Sequence, residues 1–242
     1  MKADPAQQRS LLELAELDTE LSQLAHRAAH LPEQQRYDEI QAHQREVSDR
    51  LAVLEVTLED VDGEVAKLES EVDAVRQRED RDRGLLDSGS VQHKQLEELQ
   101  HELGTLQRRQ ASLEDTLLEV MERREGLAAE AAGERERLAT LDEDLTAARG
   151  ARDVALAELE QTRSGRAARR ADLAAGLDGE LVKIYERQRA SSGVGAGRLQ
   201  GRRCGACRIE LDRGEIARIA AAPEDEVLRC SECGAILLRL NA

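Results

Sequence analysis

Val47-Ser48-Asp49-Arg50-Leu51-Ala52-Val53-Leu54-Glu55-Val56-Thr57-Leu58-Glu59-Asp60-Val61 carries an apolar stripe at Val47, Leu51, Leu54, Leu58 and Val61. Steps of four and three in alternation form the heptad seam that turns one stripe of a helix toward a partner helix. The stripe extends back to Ile40 and Tyr37 and forward through Val65, Leu68, Val72 and Val75, with Gln44 its single polar position. It is expected to dissolve in the charge run Arg76-Gln77-Arg78-Glu79-Asp80-Arg81-Asp82-Arg83. Gly84 and then Asp87-Ser88-Gly89-Ser90 supply the residues of a turn.

An earlier helix is expected after Pro5, with Leu14, Leu17, Leu21, Leu24, Ala28 and Leu31 as its stripe. Pro32 ends or kinks it, because the residue before a proline avoids the helical region. After the turn a third seam runs from Leu96, Leu99, Leu103 and Leu106 to Leu141, Leu145, Leu159 and Leu173, weakening past Leu159. A helix over about 91–175 would reach roughly 125 Å at 1.5 Å per residue, and its stripe needs a partner along that length. Antiparallel folding about residue 87 supplies one, setting 33–83 against 91–141 and 6–31 against 143–168. The expected fold is mainly α: a long antiparallel coiled-coil helical hairpin with a small C-terminal β domain. A monomer is favoured on this reading; strict seams also serve a dimer. The expected organisation is a hairpin over 1–175 with its turn near 84–90 and its kink near 32, a short helix and Gly-rich connector over 176–200, and a terminal domain over 201–242.

That terminal domain holds every cysteine of the chain, in Cys204-Gly205-Ala206-Cys207 and Cys230-Ser231-Glu232-Cys233. Two Cys-x-x-Cys knuckles at this separation are the ligand set of one structural tetrahedral Zn²⁺. Glycine at 205 and 234 is expected to supply the freedom each tight turn needs. A catalytic zinc keeps an open position, whereas four thiolates close the shell. His26, His30, His43, His93 and His101 all fall in the helical region, on expected helix surfaces. Around the knuckles, short strands are expected near 197–203, 226–229 and 235–240, with a helical turn at 213–221. Ser191-Ser192-Gly193-Val194-Gly195-Ala196-Gly197 reads as a hinge or as closely packed backbone. So small a domain is expected to depend on its metal.

Composition sets the function classes. The chain of 242 residues has no Trp or Phe and two Tyr, is 35% charged and carries a net charge of −15. That balance disfavours coating nucleic acid along the whole length, since phosphates need Lys and Arg. The charge is uneven: from residue 181 onward eleven Lys+Arg face eight Asp+Glu, a formal +3, leaving −18 for residues 1–180. Arg198, Arg202, Arg203 and Arg208 gather around the first knuckle, where they could meet phosphates or a partner. A second basic group, Arg163, Arg166, Arg169 and Arg170, lies late in the third seam. Leu85 and Leu86 at the turn either pack locally or offer a protein contact. No apolar run approaches the ~20 residues that cross a bilayer, and thiolate pairs suit a reducing compartment, so the expected location is cytoplasmic, with no membrane partner. No P-loop, nucleophile elbow or paired-carboxylate motif occurs, and a non-enzymatic role is expected.

Two stretches carry a family resemblance. One is Lys94-Gln95-Leu96-Glu97-Glu98-Leu99-Gln100-His101-Glu102-Leu103 with Leu106-Gln107-Arg108-Arg109-Gln110 and Leu113-Glu114-Asp115. The other joins Ile184-Tyr185-Glu186-Arg187 to Arg203-Cys204-Gly205-Ala206-Cys207 and Arg229-Cys230-Ser231-Glu232-Cys233-Gly234-Ala235-Ile236-Leu237. Together they resemble the bacterial C4-type zinc-ribbon family with a long N-terminal coiled-coil hairpin, departing from it at Gln92-His93-Lys94, where an Asn-Pro-Lys-like turn is usual. The resemblance implies the same hairpin and ribbon, with zinc on Cys204, Cys207, Cys230 and Cys233. Relatives are linked to flagellar assembly and type III secretion through protein partners and RNA. The function expected from residues and resemblance together is an adaptor that binds proteins through coiled coil and ribbon. The alternative is a nucleic-acid-binding regulator acting through the ribbon arginines.

Overall fold

The computed structural model describes residues 1–89 and 92–239. Ser90 and Val91 of the expected tip, Leu240 of the expected last strand, and the side chains of His93 and Lys94 lie outside the described residues. Helix α1 (Pro5–Ala29) starts where Asp4 accepts the Ala6 N–H at 2.6 Å and Pro5, at the first turn, has no N–H to leave unpaired. It stops at His30, and Pro32 opens α2 (Pro32–Asp87), so the interruption falls where the proline places it. Helix α3 covers His93–Ala175. The chain forms two units: residues 36–149, and residues 1–35 joined with 150–242.

In the unit 36–149, the arms of α2 and α3 pair antiparallel through the expected seam. Ile40, Val47, Val61, Val72 and Val75 of α2 are buried, as are Leu103, Val120 and Ala131 of α3, while Leu51, Leu54, Leu58, Val65 and Leu68 of the same stripe are half-buried. Gln44, the polar break in the stripe, donates to Asp142 of the facing arm. The register differs from folding about residue 87, which would place Glu130 opposite Gln44. Asp62–Arg124, Glu64–Arg123 and Glu55–Arg135 ion pairs centre the register near residue 94 instead. The reason lies in the charge run. Helix α2 continues through it to Asp87, with Arg76 bound to Glu114 at 2.7 Å and Arg78 to Glu102. The seam therefore does not dissolve there: Glu79, 3% exposed, takes a core position and Arg83 holds its Oε2 at 2.9 Å. Leu86 is half-buried on the same stripe, and Leu85 is the exposed member of the tip pair.

The second unit carries the remaining elements: α4 (Gly179–Ser192), β1 (Ala196–Gln200), β2 (Arg203–Cys204), α5 (Arg213–Ala221), β3 (Leu228–Arg229) and β4 (Ile236–Leu238). They form a four-stranded sheet of order β2-β1-β4-β3, with β1 and β4 parallel and the other pairs antiparallel. Alternation along β4 divides two cores. Ile236 and Leu238 pack with Leu11, Leu14 and Ala15 of α1 and with Leu181 and Tyr185 of α4. Leu237 turns the other way, onto Leu211, Ile219, Leu228, Cys204 and Cys230. Each of these fully buried aliphatic side chains contributes about 1.5–3 kcal/mol relative to exposure. The expected dependence on the metal is thus shared with apolar packing: one sheet face is covered by α1, far away in sequence, and by α4, which directly precedes β1. The Gly-rich stretch is closely packed backbone rather than a hinge, since a Cβ on Gly195 would lie 2.5 Å from the Tyr185 ring and one on Gly197 2.5 Å from the Ala206 nitrogen. The N-terminus joins the same unit. Lys2 forms an antiparallel bridge with Glu226, the Ala3 N–H donates to the Asp225 carbonyl at 2.8 Å, and the Val227 N–H donates to the Met1 carbonyl at 3.0 Å.

Candidate metal centre

The four cysteines come from two knuckles built alike. In the first, the Arg208 N–H donates to the Cys204 carbonyl at 2.7 Å and the Cys204 N–H to the Ile209 carbonyl at 3.0 Å. In the second, the Gly234 N–H donates to Cys230 and the Cys230 N–H to Ala235, both at 2.9 Å. Closing each loop needs a left-handed residue just after the second cysteine, and Arg208 (φ 63°) and Gly234 (φ 76°) fill that place. Arg208, not Gly205, is therefore the counterpart of Gly234. Gly205 answers a different need: its N–H donates to the Arg198 carbonyl at 2.8 Å, and a Cβ there would stand 2.4 Å from that oxygen.

This construction brings the four Sγ atoms within 4.8 Å of one another. The Cys204–Cys233 and Cys207–Cys230 sulfurs stand 3.9 and 4.0 Å apart. A tetrahedron with Zn–S bonds of about 2.3 Å has edges of about 3.8 Å, so the donor set fits one Zn²⁺ with a closed shell. Burial pushes the Cys204 thiol up and the Cys233 thiol up to about 12. At Cys207 burial also acts upward, but the Ile209 backbone N–H and the Cys233, Cys204 and Cys230 sulfurs outweigh it and hold the thiol below its ordinary value. Bound zinc supplies the charge that keeps all four as thiolates. Among the described residues these cysteines form the one cluster of three or more metal-ligating side chains. His26 and His30 stack with ring centroids 4.2 Å apart on the α1 surface.

Of the arginines singled out in the sequence, Arg198, Arg202, Arg203 and Arg208 are all exposed. Arg198, on β1, and Arg208 line a cleft of about 520 Å³ with Leu12, Glu16 and Gln23 of α1. Arg202 pairs with Glu210 at 3.4 Å, and among the described residues it alone of the four has a carboxylate partner. The other basic group is absorbed by structure: Arg163 pairs with Glu160, Arg166 with Glu20, Arg169 with Glu13 and Arg170 with Asp18.

Three supporting residues escaped the sequence reading. Asp18, its side chain 7% exposed, accepts from Arg170 at 2.8 Å, Arg189 at 3.1 Å and the Tyr185 hydroxyl at 2.6 Å, joining α1, α3 and α4. Burial, then the Asp18 carboxylate, hold the Tyr185 hydroxyl well above its ordinary value. Arg239 donates to the Ile219, Ala222 and Pro223 carbonyls and so closes the C-terminus of α5. Gln188 reaches the second knuckle from α4. Its only signal in the sequence is a polar residue at the spacing of Leu181 and Tyr185.

The arrangement defines a zinc-ribbon protein built on a coiled-coil hairpin. Residues 14–193 match the CT398-like coiled coil hairpin domain and residues 203–237 the C4-type zinc ribbon domain. The chain belongs to the CT398-like coiled-coil hairpin family. It is 61% identical over 241 residues to an uncharacterized protein of Mycobacterium tuberculosis, covering 100% of this chain and 98% of that one. A solved structure from Mycobacterium smegmatis is also 61% identical, with a TM-score of 0.91 over 99% of this chain and 100% of that one. The structure of CT398 from Chlamydia trachomatis shares the fold at 17% identity, with a TM-score of 0.75 over 97% of this chain and 98% of that one.

Proposed function

We propose that this chain is a non-enzymatic cytoplasmic adaptor whose hairpin and zinc ribbon bind protein partners. The observation that carries the reading is the closed four-sulfur site. A metal whose coordination positions are all filled by protein staples a surface rather than activating a substrate. The seam supports the same reading, because it uses the apolar stripes of the hairpin internally and leaves long polar faces for partners. Among the described residues no helix is long and apolar enough to cross a membrane. The link of relatives to flagellar assembly and type III secretion, implied by the resemblance, enters as part of this proposal and fits a protein-binding role.

A second reading, a nucleic-acid-binding regulator, is favoured by one observation. Arg198, Arg203 and Arg208 stay exposed beside the knuckle, while Arg163, Arg166, Arg169 and Arg170 of α3 are taken up in ion pairs. The two readings separate in one pair of measurements. Capture of proteins from native cytosol is expected to survive nuclease treatment on the adaptor reading, and loss of every captured protein with nuclease removes it. Phosphate binding instead predicts affinity for mixed-sequence RNA or DNA that falls steeply with salt and less steeply after Arg202→Ala and Arg203→Ala. Absence of binding at low salt removes the second reading.

A further inference from the structure

Gln188 lies on the inward face of α4, 6% exposed, where the helical period that buries Leu181 and Tyr185 calls for a third apolar residue. A buried amide costs stability unless its polar atoms are paired. Here both are used. Nε2 donates to the Cys233 carbonyl at 2.7 Å and to Ser192 Oγ at 2.9 Å, and Oε1 accepts from Arg229 Nη2 at 2.7 Å. Arg229 Nε then donates to the Gly234 carbonyl at 2.8 Å. Two consecutive carbonyls of the second knuckle, one belonging to a zinc ligand, are thus held by groups outside the knuckle. Among the described residues no side chain does the same for the carbonyls of Cys207 and Arg208. The fit is close: a Cβ on Gly234 would stand 2.7 Å from Gln188 Oε1.

We infer that Gln188 is a positioning residue for the metal, fixing the second knuckle through the Cys233 carbonyl so that Cys233 Sγ stands where zinc needs it. The carbonyl and the sulfur belong to one residue, so anchoring the first restricts the torsions that aim the second. Arg229 completes the device by orienting the Gln188 amide, which keeps the donor and not the acceptor toward Cys233. Groups that orient a metal ligand without touching the metal typically govern affinity by 10–100-fold.

The test is a competition of the zinc-loaded full chain against a chromophoric chelator, with the visible spectrum of the Co²⁺-substituted protein as second readout. Gln188→Met keeps the volume and removes the amide. It is expected to weaken zinc binding about tenfold or more and to alter the thiolate–Co²⁺ bands. Tyr185→Phe removes a different polar contact of the same helix and is expected to leave zinc affinity and bands as in the parent. Parent-like zinc affinity in Gln188→Met, or equal weakening in Tyr185→Phe, overturns the assignment. Should Gln188→Met fail to fold, the exposed Arg229→Ala carries the test: weaker binding supports the role, unchanged binding removes it.

Discussion

Arg208 and Gly234 occupy equivalent places in the two knuckles, yet only one is glycine. Arg208 holds φ 63° with its side chain in solvent, where a Cβ costs roughly 1–2 kcal/mol of backbone strain. Glycine there would relieve that strain and return about 0.5–1 kcal/mol through its greater unfolded-state freedom. Arg208→Gly is therefore expected to stabilise the zinc-loaded protein by a net of about 0.5–1 kcal/mol in urea unfolding. Gly234→Ala is expected to act oppositely, by about 2 kcal/mol, because φ 76° and the Gln188 oxygen both oppose a Cβ. A destabilised Arg208→Gly with full metal content would show that the arginine makes contacts worth more than its strain. If the variant is stabilised but loses a partner or nucleic acid, Arg208 is retained for contact. The sequence could not rank the knuckle glycines: Gly205 is the more conspicuous, but its place is set by the Arg198 carbonyl, a neighbour known only after folding.

Among the elements, α4 is held by charge as well as by apolar packing. Asp18 of α1 draws in Arg170 of α3 with Arg189 and Tyr185 of α4, and Glu186 shares both arginines. The Asp18 side chain is 7% exposed and that of Arg170 19%, so removing the carboxylate strands a poorly solvated cation. Breaking a buried pair from one side costs about 3–5 kcal/mol. Asp18→Ala is expected at the low end, about 3 kcal/mol, since Glu186 remains to Arg170 and Arg189 is partly exposed. Tyr185→Phe, which removes one hydrogen bond, is expected to cost about 1 kcal/mol. Thermal unfolding of both variants checks the order, and an Asp18→Ala milder than Tyr185→Phe would contradict the network. At this scale the heptads of α2 and α3, the break at Pro32 and the span of α5 were legible, because local periodicity and proline chemistry specify them. The register was not. It depends on helix continuing through Arg76–Arg83, and that rests on cross-arm pairs such as Arg76–Glu114 that no local pattern reveals. Nor was the partner of Arg170 visible, since Asp18 lies 152 residues away.

Across the whole molecule, the fold class and all four zinc ligands could be read from spacing alone, whereas the association of residues 1–35 with the ribbon could not. Three residues at the N-terminus bridge to Asp225–Val227 through backbone atoms, and such a pairing leaves no composition signal. This unit is where metal and fold meet. Leu237 and the ligands Cys204 and Cys230 share one core, while Ile236 and Leu238 share the other with α1 and α4. In the metal-free chain burial raises the Cys204 and Cys233 thiols, the latter to about 12, so at neutral pH both carry protons that zinc must displace. The sign follows. Lowering pH returns protons to these sulfurs and weakens binding, whereas raising it toward the thiol range strengthens binding. Displacing at least these two protons makes the apparent dissociation constant change about a hundredfold or more per pH unit near neutrality, ten for each proton. A chelator competition at pH 6.5 and 7.5 measures that slope, and less than a tenfold change between them would show that the metal-free thiols are already ionised. The same loss of zinc is expected to free the core around Leu211 and Ile219 while α1 and α4 keep Ile236 and Leu238 covered. In hydrogen exchange, amides of α5 should then lose protection on chelation while those of the α2 and α3 seam within 36–149 do not. Equal loss along the seam would mean that the hairpin also depends on the metal, which its burial pattern gives no reason to expect.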